Sequence, residues 1–283
     1  MASPSGSVSV VVSSFEEPDH LCLVLTALSR QSAPPAEVLV ADDGSSPRTL
    51  EALRAWTPAP AFRLVHVWQP HEEFRLARSR NNAIHRARGT ILAFLDQDTL
   101  PHRRWLETHL AHVRPGAVSI GLKLSLDPSL AAGLSRDAVE GGGFENAIGA
   151  EERRCMDALQ RKCRFYVIMR RLGLGVNGRP AVNFANAAAS RDDLIRANGF
   201  DEDYVGWGQE DDDLGWRLYM AGVRPVAVVN RALVSHIPHP PRHGGWKAGR
   251  NIERYRRKRL SFRCAKGLDA HPHPDVVVTV VRD

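Results

Sequence analysis

Ile91-Leu92-Ala93-Phe94-Leu95-Asp96-Gln97-Asp98 is the stretch that decides the fold. A short, unbroken apolar run that stops at a polar triplet reads as a strand buried on both faces, the kind that parallel sheets contain. Comparable runs stand upstream at Val8-Ser9-Val10-Val11-Val12, Val38-Leu39-Val40 and Phe62-Arg63-Leu64-Val65-His66-Val67. Helical spacing fills the intervals. Asp19 to Ser29 sets Leu21, Val24, Leu25 and Leu28 on one face, and Pro34-Pro35 follows as a stop; Thr49 to Trp56 and Leu76 to Arg88 supply two more helices. Strand and helix in strict alternation predict an α/β architecture: a mixed, mostly parallel sheet with helices on both faces. In such sheets ligands bind beyond the carboxyl ends of the strands. Ser13, Asp43, Asp96 and Asp98 fall at those ends.

Downstream, Arg103 to His112 reads as a helix and Val118 to Leu124 as one strand. Residues 128–178 change character: a Gly141-Gly142-Gly143 run, a basic helix from Glu151 to Leu172, then Gly173, Gly175 and Gly178. This region is expected to be an insertion or mobile arm. Asn183 to Ser190 is a small-residue strand, Arg191 to Asn198 a helix closed by Gly199, and Val226 to Val229 and Leu233 to His236 are strands. Trp246 to Cys264 is expected to form a basic helix burying Ile252, Tyr255, Leu260 and Phe262, and Val276 to Val281 an edge strand.

Composition narrows the class. The chain has 283 residues, 43% hydrophobic and 25% charged, as ordinary globular proteins do. No apolar run approaches the roughly 18 residues of a membrane span. Met1 to Gly6 lacks a charged n-region and apolar h-region, so a signal peptide is not expected. The four cysteines show no CxxC spacing, which fits free thiols in a reducing, cytoplasmic setting and disfavours thiolate-bound zinc. The net charge of +6 is concentrated in two segments, Arg153 to Arg171 and Arg250 to Arg263. Such segments suit phosphates, an anionic membrane face or nucleic acid; the plain alternative is a solvated helix face.

The chemistry-bearing stretch is Gly206-Trp207-Gly208-Gln209-Glu210-Asp211-Asp212-Asp213. Carboxylates at a helix start gain about 0.3–1 kcal/mol each from the unpaired amides and the dipole. That explains the acids but not a Trp between two glycines. A mobile Gly-Trp-Gly loop delivering a carboxylate base to a sugar hydroxyl explains both. In Asp96-Gln97-Asp98, residues i and i+2 share a face if the backbone is extended, so both carboxylates can face one cation. His236, at a strand end, adds an imidazole that favours Mn or a similar ion. His239 reads as a surface residue in a Pro-rich loop, and His243, His271 and His273 as loop residues. Asp43 can accept from a base N–H or a ribose hydroxyl, or form an Asx turn. Arg75, Arg78 and Arg80 can reach a diphosphate, although at least one is expected only to solvate its helix. No Gly-x-Ser-x-Gly elbow, phosphate loop or Gly-x-Gly-x-x-Gly fingerprint is present, which disfavours acyl transfer, P-loop chemistry and dinucleotide redox chemistry.

Together Val8 to Phe15, Ala41 to Ser45, Arg80 to Ile84, Phe94 to Asp98, and Asn198 to Asp201 running into Gly206 to Asp211 resemble the family 2 glycosyltransferases of the GT-A (Rossmann-like) fold. The Trp-Gly-x-Glu-Asp segment is similar to that of bacterial chondroitin polymerases and animal β-1,4-galactosyltransferases. The resemblance covers roughly residues 7–125 and 180–240. It implies a single domain over 1–265: a nucleotide-sugar-binding half at 7–125, the insertion or arm at 126–180, an acceptor and catalytic half at 181–265, then a tail at 266–283. It implies donor contacts from Ser13, Phe15, Asp43, Arg80, Asp96 and Trp207, with Asp43 on the uracil edge. Asp98 and His236, with Asp96 on ribose or metal, would hold Mn2+ or Mg2+. Asp211 would be the base, and Trp207, Gly208, Glu210 and Asp212 would meet the acceptor. One carboxylate base with no carboxylate nucleophile opposite predicts a single, inverting displacement. The expected reaction moves a sugar from a nucleotide donor, UDP-linked, to a glycan or glycolipid of surface polysaccharide synthesis, with peripheral attachment to an anionic inner leaflet. A nucleotidyltransferase of related fold leaves Trp207 unexplained. A nucleic-acid-binding protein is disfavoured because the acidic cluster would repel phosphate, so no nucleic-acid partner is expected.

Overall fold

The computed structural model describes residues 7–57, 60–174, 182–239, 250–257 and 261–283. In chain order the first half holds β1 (Val8–Ser14), α1 (Pro18–Ser29), β2 (Glu37–Asp42), α2 (Pro47–Ala55), β3 (Arg63–Trp68), α3 (Leu76–Arg86), β4 (Ile91–Asp96), β5 (Thr99–Pro101) and α4 (Trp105–Leu110). There follow β6 (Ala117–Ile120), β7 (Leu122–Ser125), α5 (Pro128–Ala132), α6 (Arg136–Gly141) and α7 (Ala150–Arg171). The last part holds β8 (Asn186–Ser190), α8 (Arg191–Arg196), α9 (Glu210–Met220), β9 (Arg224–Ala227), β10 (Leu233–His236), α10 (Ile252–Arg256) and β11 (Val277–Arg282).

The main sheet has eight strands in the order β11-β3-β2-β1-β4-β8-β6-β9. β3, β2, β1 and β4 are parallel neighbours, as the alternating pattern predicts. β8 runs antiparallel between β4 and β6, and β6 pairs parallel with β9. The apolar strands are buried on both faces. Val10, Val12, Val38, Val40, Ala93 and Leu95 join the side chains of α1 in one core. Val11, Leu39, Ala41, Leu92 and Phe94 join those of α3, α8 and α9 in the other. The alanines of β8 feed both cores in turn: Ala188 the first, Ala187 and Ala189 the second.

Two sequence expectations need correcting. The single strand expected from Val118 to Leu124 is two strands in different sheets, β6 in the main one and β7 beside β10 and β5 in a three-stranded one. The switch is at Gly121, where a Cβ would stand 2.3 Å from Ala232 O and 2.4 Å from Asn186 Nδ2, so only glycine lets the chain pass. The basic helix expected from Trp246 to Cys264 is, in the described residues, the five-residue α10. Arg257 turns extended (φ −61°, ψ 138°) and ends it, Phe262 is exposed, and residues 246–249 and 258–260, with Leu260, lie outside the described residues. His243 lies outside them too.

The expected edge strand is present: β11 lies antiparallel on β3. A buried carboxylate helps hold that end. Glu202 takes His271 Nε2 at 2.6 Å, His273 Nε2 at 3.2 Å and Asn81 Nδ2 of α3 at 2.9 Å. All four cysteines are free. Among the described residues no helix is long and apolar enough to cross a membrane.

Candidate active site

The carboxyl ends of β1, β2 and β4 open together on one side of the sheet, because these strands are parallel and neighbours. The residues there are drawn into one network. Gln97, between the two carboxylates of the Asp96-Gln97-Asp98 triplet, is buried and clasps the end of β1. Its Oε1 accepts from Ser14 Oγ (2.8 Å) and Phe15 N (3.0 Å), and its Nε2 donates to Phe15 O (2.9 Å). An amide fills this position because the clasp needs an acceptor and a donor on one side chain. Phe15 stacks on His71 with ring centroids 4.5 Å apart. Asp43 is buried and accepts from Gln69 Nε2 (2.6 Å) and Arg75 N (2.7 Å). Burial raises its carboxyl above the usual range against the pull of those donors.

Arg80, projecting from α3, is 1% exposed. Its Nε donates to Ser13 Oγ (2.9 Å), one terminal nitrogen to Asp211 Oδ1 (2.7 Å) and the other to Asp96 Oδ1 (3.0 Å). The second Asp211 oxygen accepts from Phe184 N at 2.9 Å. A single buried guanidinium therefore joins the donor-side carboxylate of β4 to the first turn of α9, and it lies 5.2 Å from the Phe200 ring. Arg75 instead pairs with Glu72 and Arg78 with Asp275.

The triplet itself does not stay extended. β4 ends at Asp96, Gln97 and Asp98 form a turn, and the two carboxylates separate. Asp98 joins His236 and His239, whose ligand atoms all lie within 4.8 Å of one another; Asp96 is not in that group. The small sheet brings them together: β10 pairs antiparallel with β5, setting His236 across from Thr99, and Ile237 N donates to Asp98 O at 2.9 Å. His236 Nε2 is 3.4 Å and His239 Nε2 3.2 Å from Asp98 Oδ2, and Lys123 Nζ is 3.7 Å from Oδ1. Burial pushes the Asp98 carboxyl up, but the imidazoles and the ammonium outweigh it and bring it down to about 2. Asp98 Oδ1 and His236 Nε2 are buried and make no hydrogen bond. Buried atoms without a hydrogen bond on one carboxylate and one imidazole, with a second imidazole beside them, fit a divalent ion that accepts nitrogen ligands, Mn2+ better than Mg2+.

The Gly-Trp-Gly loop packs above α3 and α9. Gly206 and Gly208 have φ of +83° and +96°, which a side chain rarely tolerates. Gln209 follows at φ 72° and sets the start of α9. Gly206 N donates to Phe74 O (2.7 Å), and Asn251 Nδ2 donates to Gly208 O (3.0 Å) and Gly206 O (3.3 Å). The loop presents Trp207 partly exposed and turns Glu210 inward. Glu210 is buried, and its Oε2 makes no hydrogen bond. Burial first, then the charge of Asp211, pushes its carboxyl up to about 8 against the pull of Arg80. Burial also raises Asp211, with Arg80 opposing.

One cleft of about 610 Å³ joins these parts. Ser13, Phe15, Asp43, Arg80, Asp96 and Asp98 line it together with Trp207, Gly208, Glu210, Asp211 and Asp212. His239 lines it as well; His236 stands behind, in the three-residue cluster. His239, expected as a surface loop residue, joins the cluster and lines the cleft, while Gln97, Lys123 and Asn251 have site contacts that the sequence did not assign. The His236-Ile237-Pro238-His239 spacing was a usable signal for the first, whereas nothing local marks the others.

The pattern described as Glycosyl transferase family 2 matches residues 9–123, and that described as N-terminal domain of galactosyltransferase matches residues 180–241. Validoxylamine A glucosyltransferase of Streptomyces hygroscopicus subsp. limoneus is 31% identical over 83% of this chain and 52% of its own length. Chondroitin synthase of Escherichia coli is 26% identical over 76% of this chain and 32% of its own. The chain thus spans about half the length of the first of these relatives, and less of the second. Among solved structures, the mannosyltransferase PcManGT from Pyrobaculum calidifontis, in complex with GDP-Man and Mn2+, superposes with a TM-score of 0.54 at 23% identity, over 84% of this chain and 58% of that one. S. aureus TarS 1-349 in complex with UDP-GlcNAc gives 0.54 at 16%, over 84% and 60%. With two family patterns spanning the residues that line the cleft, and a sheet shared with these structures, the chain belongs to the family 2 glycosyltransferases and has the GT-A fold.

Proposed function

We propose that this chain transfers a sugar from a UDP-linked donor to a hydroxyl of a glycan acceptor, by a metal-dependent single displacement that inverts the anomeric centre. The observation that carries the reading is the shared cleft: Asp98, His239 and Asp211 all line it. Asp98, His236 and His239 would hold the ion. A bound Mn2+ or Mg2+ would supply positive charge to the departing diphosphate.

The remaining roles belong to the chain. Asp43 faces the end where the base would lie, and Phe15 beside His71 offers it a flat surface. Asp211 accepts the proton of the acceptor hydroxyl as that oxygen bonds to the anomeric carbon and the carbon–diphosphate bond breaks. Arg80 holds Asp211 in position from below. Glu210, kept protonated near neutral pH by burial, can donate from its free Oε2 to an acceptor oxygen. Trp207 gives both sugars an apolar face. Surface polysaccharide or lipopolysaccharide synthesis is the setting that the acceptor-side resemblance favours, and the basic segments suit work beside an anionic surface.

The test is an assay of UDP- and GDP-sugars for turnover with Mn2+, before and after chelation, using wild type and Asp211→Asn. General-base removal typically costs about 10²- to 10⁴-fold. Asp211→Asn should therefore bind donor normally and lose at least about a hundredfold in transfer. Normal turnover in that variant, or pyrophosphate in place of the free nucleoside diphosphate as product, would reject the reading.

A further inference from the structure

α7 falls in the stretch that neither family pattern matches, between residues 123 and 180. Its packed face is narrow. Met156 is buried, Gln160 Nε2 donates to Ala227 O at 2.7 Å, Asn230 Nδ2 donates to Asp157 Oδ1 at 2.7 Å, and Arg170 lies over the Tyr219 ring. The opposite face should then be polar, as on any amphipathic surface helix. It is not. Phe165, Ile168 and Leu172 are 55%, 54% and 64% exposed. Spaced by three and four residues, they form one outward stripe. Tyr166 and Leu174 flank it, also exposed.

Charge says what covers this stripe. From Ala158 to Arg171 the helix carries Arg161, Lys162, Arg164, Arg170 and Arg171 and no acidic residue; the acids are confined to its N-terminal part. By the same periodicity Lys162 and Arg164 flank the apolar stripe on its two sides, and Arg161 continues it toward the N-terminus. A second copy of this face would oppose these cations with like charge. A helix that pairs an exposed apolar stripe with cations on either side matches an interfacial, membrane-lying helix, which gains from buried apolar area and anionic headgroups together. We infer that α7 docks this protein on an anionic lipid surface, with Phe165, Ile168 and Leu172 entering the headgroup–acyl boundary and Arg161, Lys162 and Arg164 on the phosphates. The docking stands apart from the transfer chemistry. What it adds to the proposed function, and only if that reading holds, is that the acceptor is met at a lipid surface, since the chain re-enters the cleft wall at Val182 and Asn183 soon after α7.

The experiment is co-sedimentation of the full chain with phosphatidylcholine vesicles, with and without one third phosphatidylglycerol. Bound protein should rise at least about fivefold with the anionic lipid and fall back in 0.5 M salt. The exposed triple variant Phe165→Ser/Ile168→Ser/Leu172→Ser should lose about tenfold in binding while retaining donor turnover, and Ile168→Trp should show a fluorescence blue shift on vesicle addition. Equal binding to neutral vesicles, full binding by the triple variant, or a dimer in light scattering that the triple variant dissolves would each overturn the inference. Loss of donor turnover in Asp211→Asn bears only on the transferase reading, so the two can fail separately.

Discussion

Glu210 and Asp211 are adjacent carboxylates with different surroundings. Asp211 has both oxygens engaged, by Arg80 and by Phe184 N, while Glu210 keeps one oxygen free in a buried position. On the proposed function the pair separates into an oriented base and a protonated donor, with burial pushing Glu210 up to about 8. A group whose acid form is the useful one loses its contribution as pH rises through its pKa. Transfer should fall on the alkaline side of about pH 8, and Glu210→Gln, which keeps a donor and cannot ionise, should retain most of the rate and remove that fall. A pH profile of kcat for both proteins checks this; an unchanged alkaline limb in the variant would contradict the role. At this scale the sequence was most legible where a residue's chemistry is unusual for its place, as with the four successive acids or the strand-end Asp43. Arg80 was expected to reach a diphosphate, but its three donor groups turn inward, and no local feature distinguishes it from Arg75 or Arg78.

Among the elements, the Gly-Trp-Gly loop and α10 depend on each other. Positive φ at Gly206, Gly208 and Gln209 leaves carbonyls turned away from any helix or sheet, and Asn251 takes two of them. A hydrogen bond of this kind contributes about 1 kcal/mol. Asn251→Ala should thus loosen Trp207 and weaken acceptor binding by roughly tenfold, leaving the donor dissociation constant near its wild-type value. Titration calorimetry for the donor and an acceptor KM measurement separate the two, and equal losses in both would point to general unfolding instead. Strand and helix periods were readable here because they are set within a few residues. The turn at Gln97-Asp98 and the break at Gly121 were not, because each answers to a partner far away: the end of β1 in one case, Ala232 and Asn186 in the other.

Across the whole molecule, stability depends on buried polar joints between the sheets as well as on the two cores. Asn186 joins them, donating to Leu122 O and Ala232 O and accepting from Trp105 Nε1. His109 is part of the same joint, bonded to Ser119 Oγ and Asn186 Oδ1, and burial pushes it down to about 4. His102, against Ser235, is likewise pushed by burial to about 4. Between that value and about 6.5 the unfolded chain binds protons that the native state refuses, so stability is lost as pH falls through this window. The two groups together should lower the thermal midpoint by roughly 10 °C between pH 7 and pH 5. Scanning calorimetry across that range tests it, and a flat midpoint would show that these imidazoles titrate normally in the fold.

Local pattern alone determined the parallel half of the sheet, the helices that cover it, and the acid-bearing segments that belong to a site. Those features follow from hydrophobic period and from residue chemistry at element ends, which act over a handful of neighbours. Tertiary structure decided which arginine joins Asp96 to Asp211, and that His239 rather than Asp96 completes the cluster with Asp98 and His236. The Arg80–Asp211 and Asp98–His236 pairings join residues more than a hundred positions apart, and their geometry exists only after strands from both halves of the chain have closed on one another.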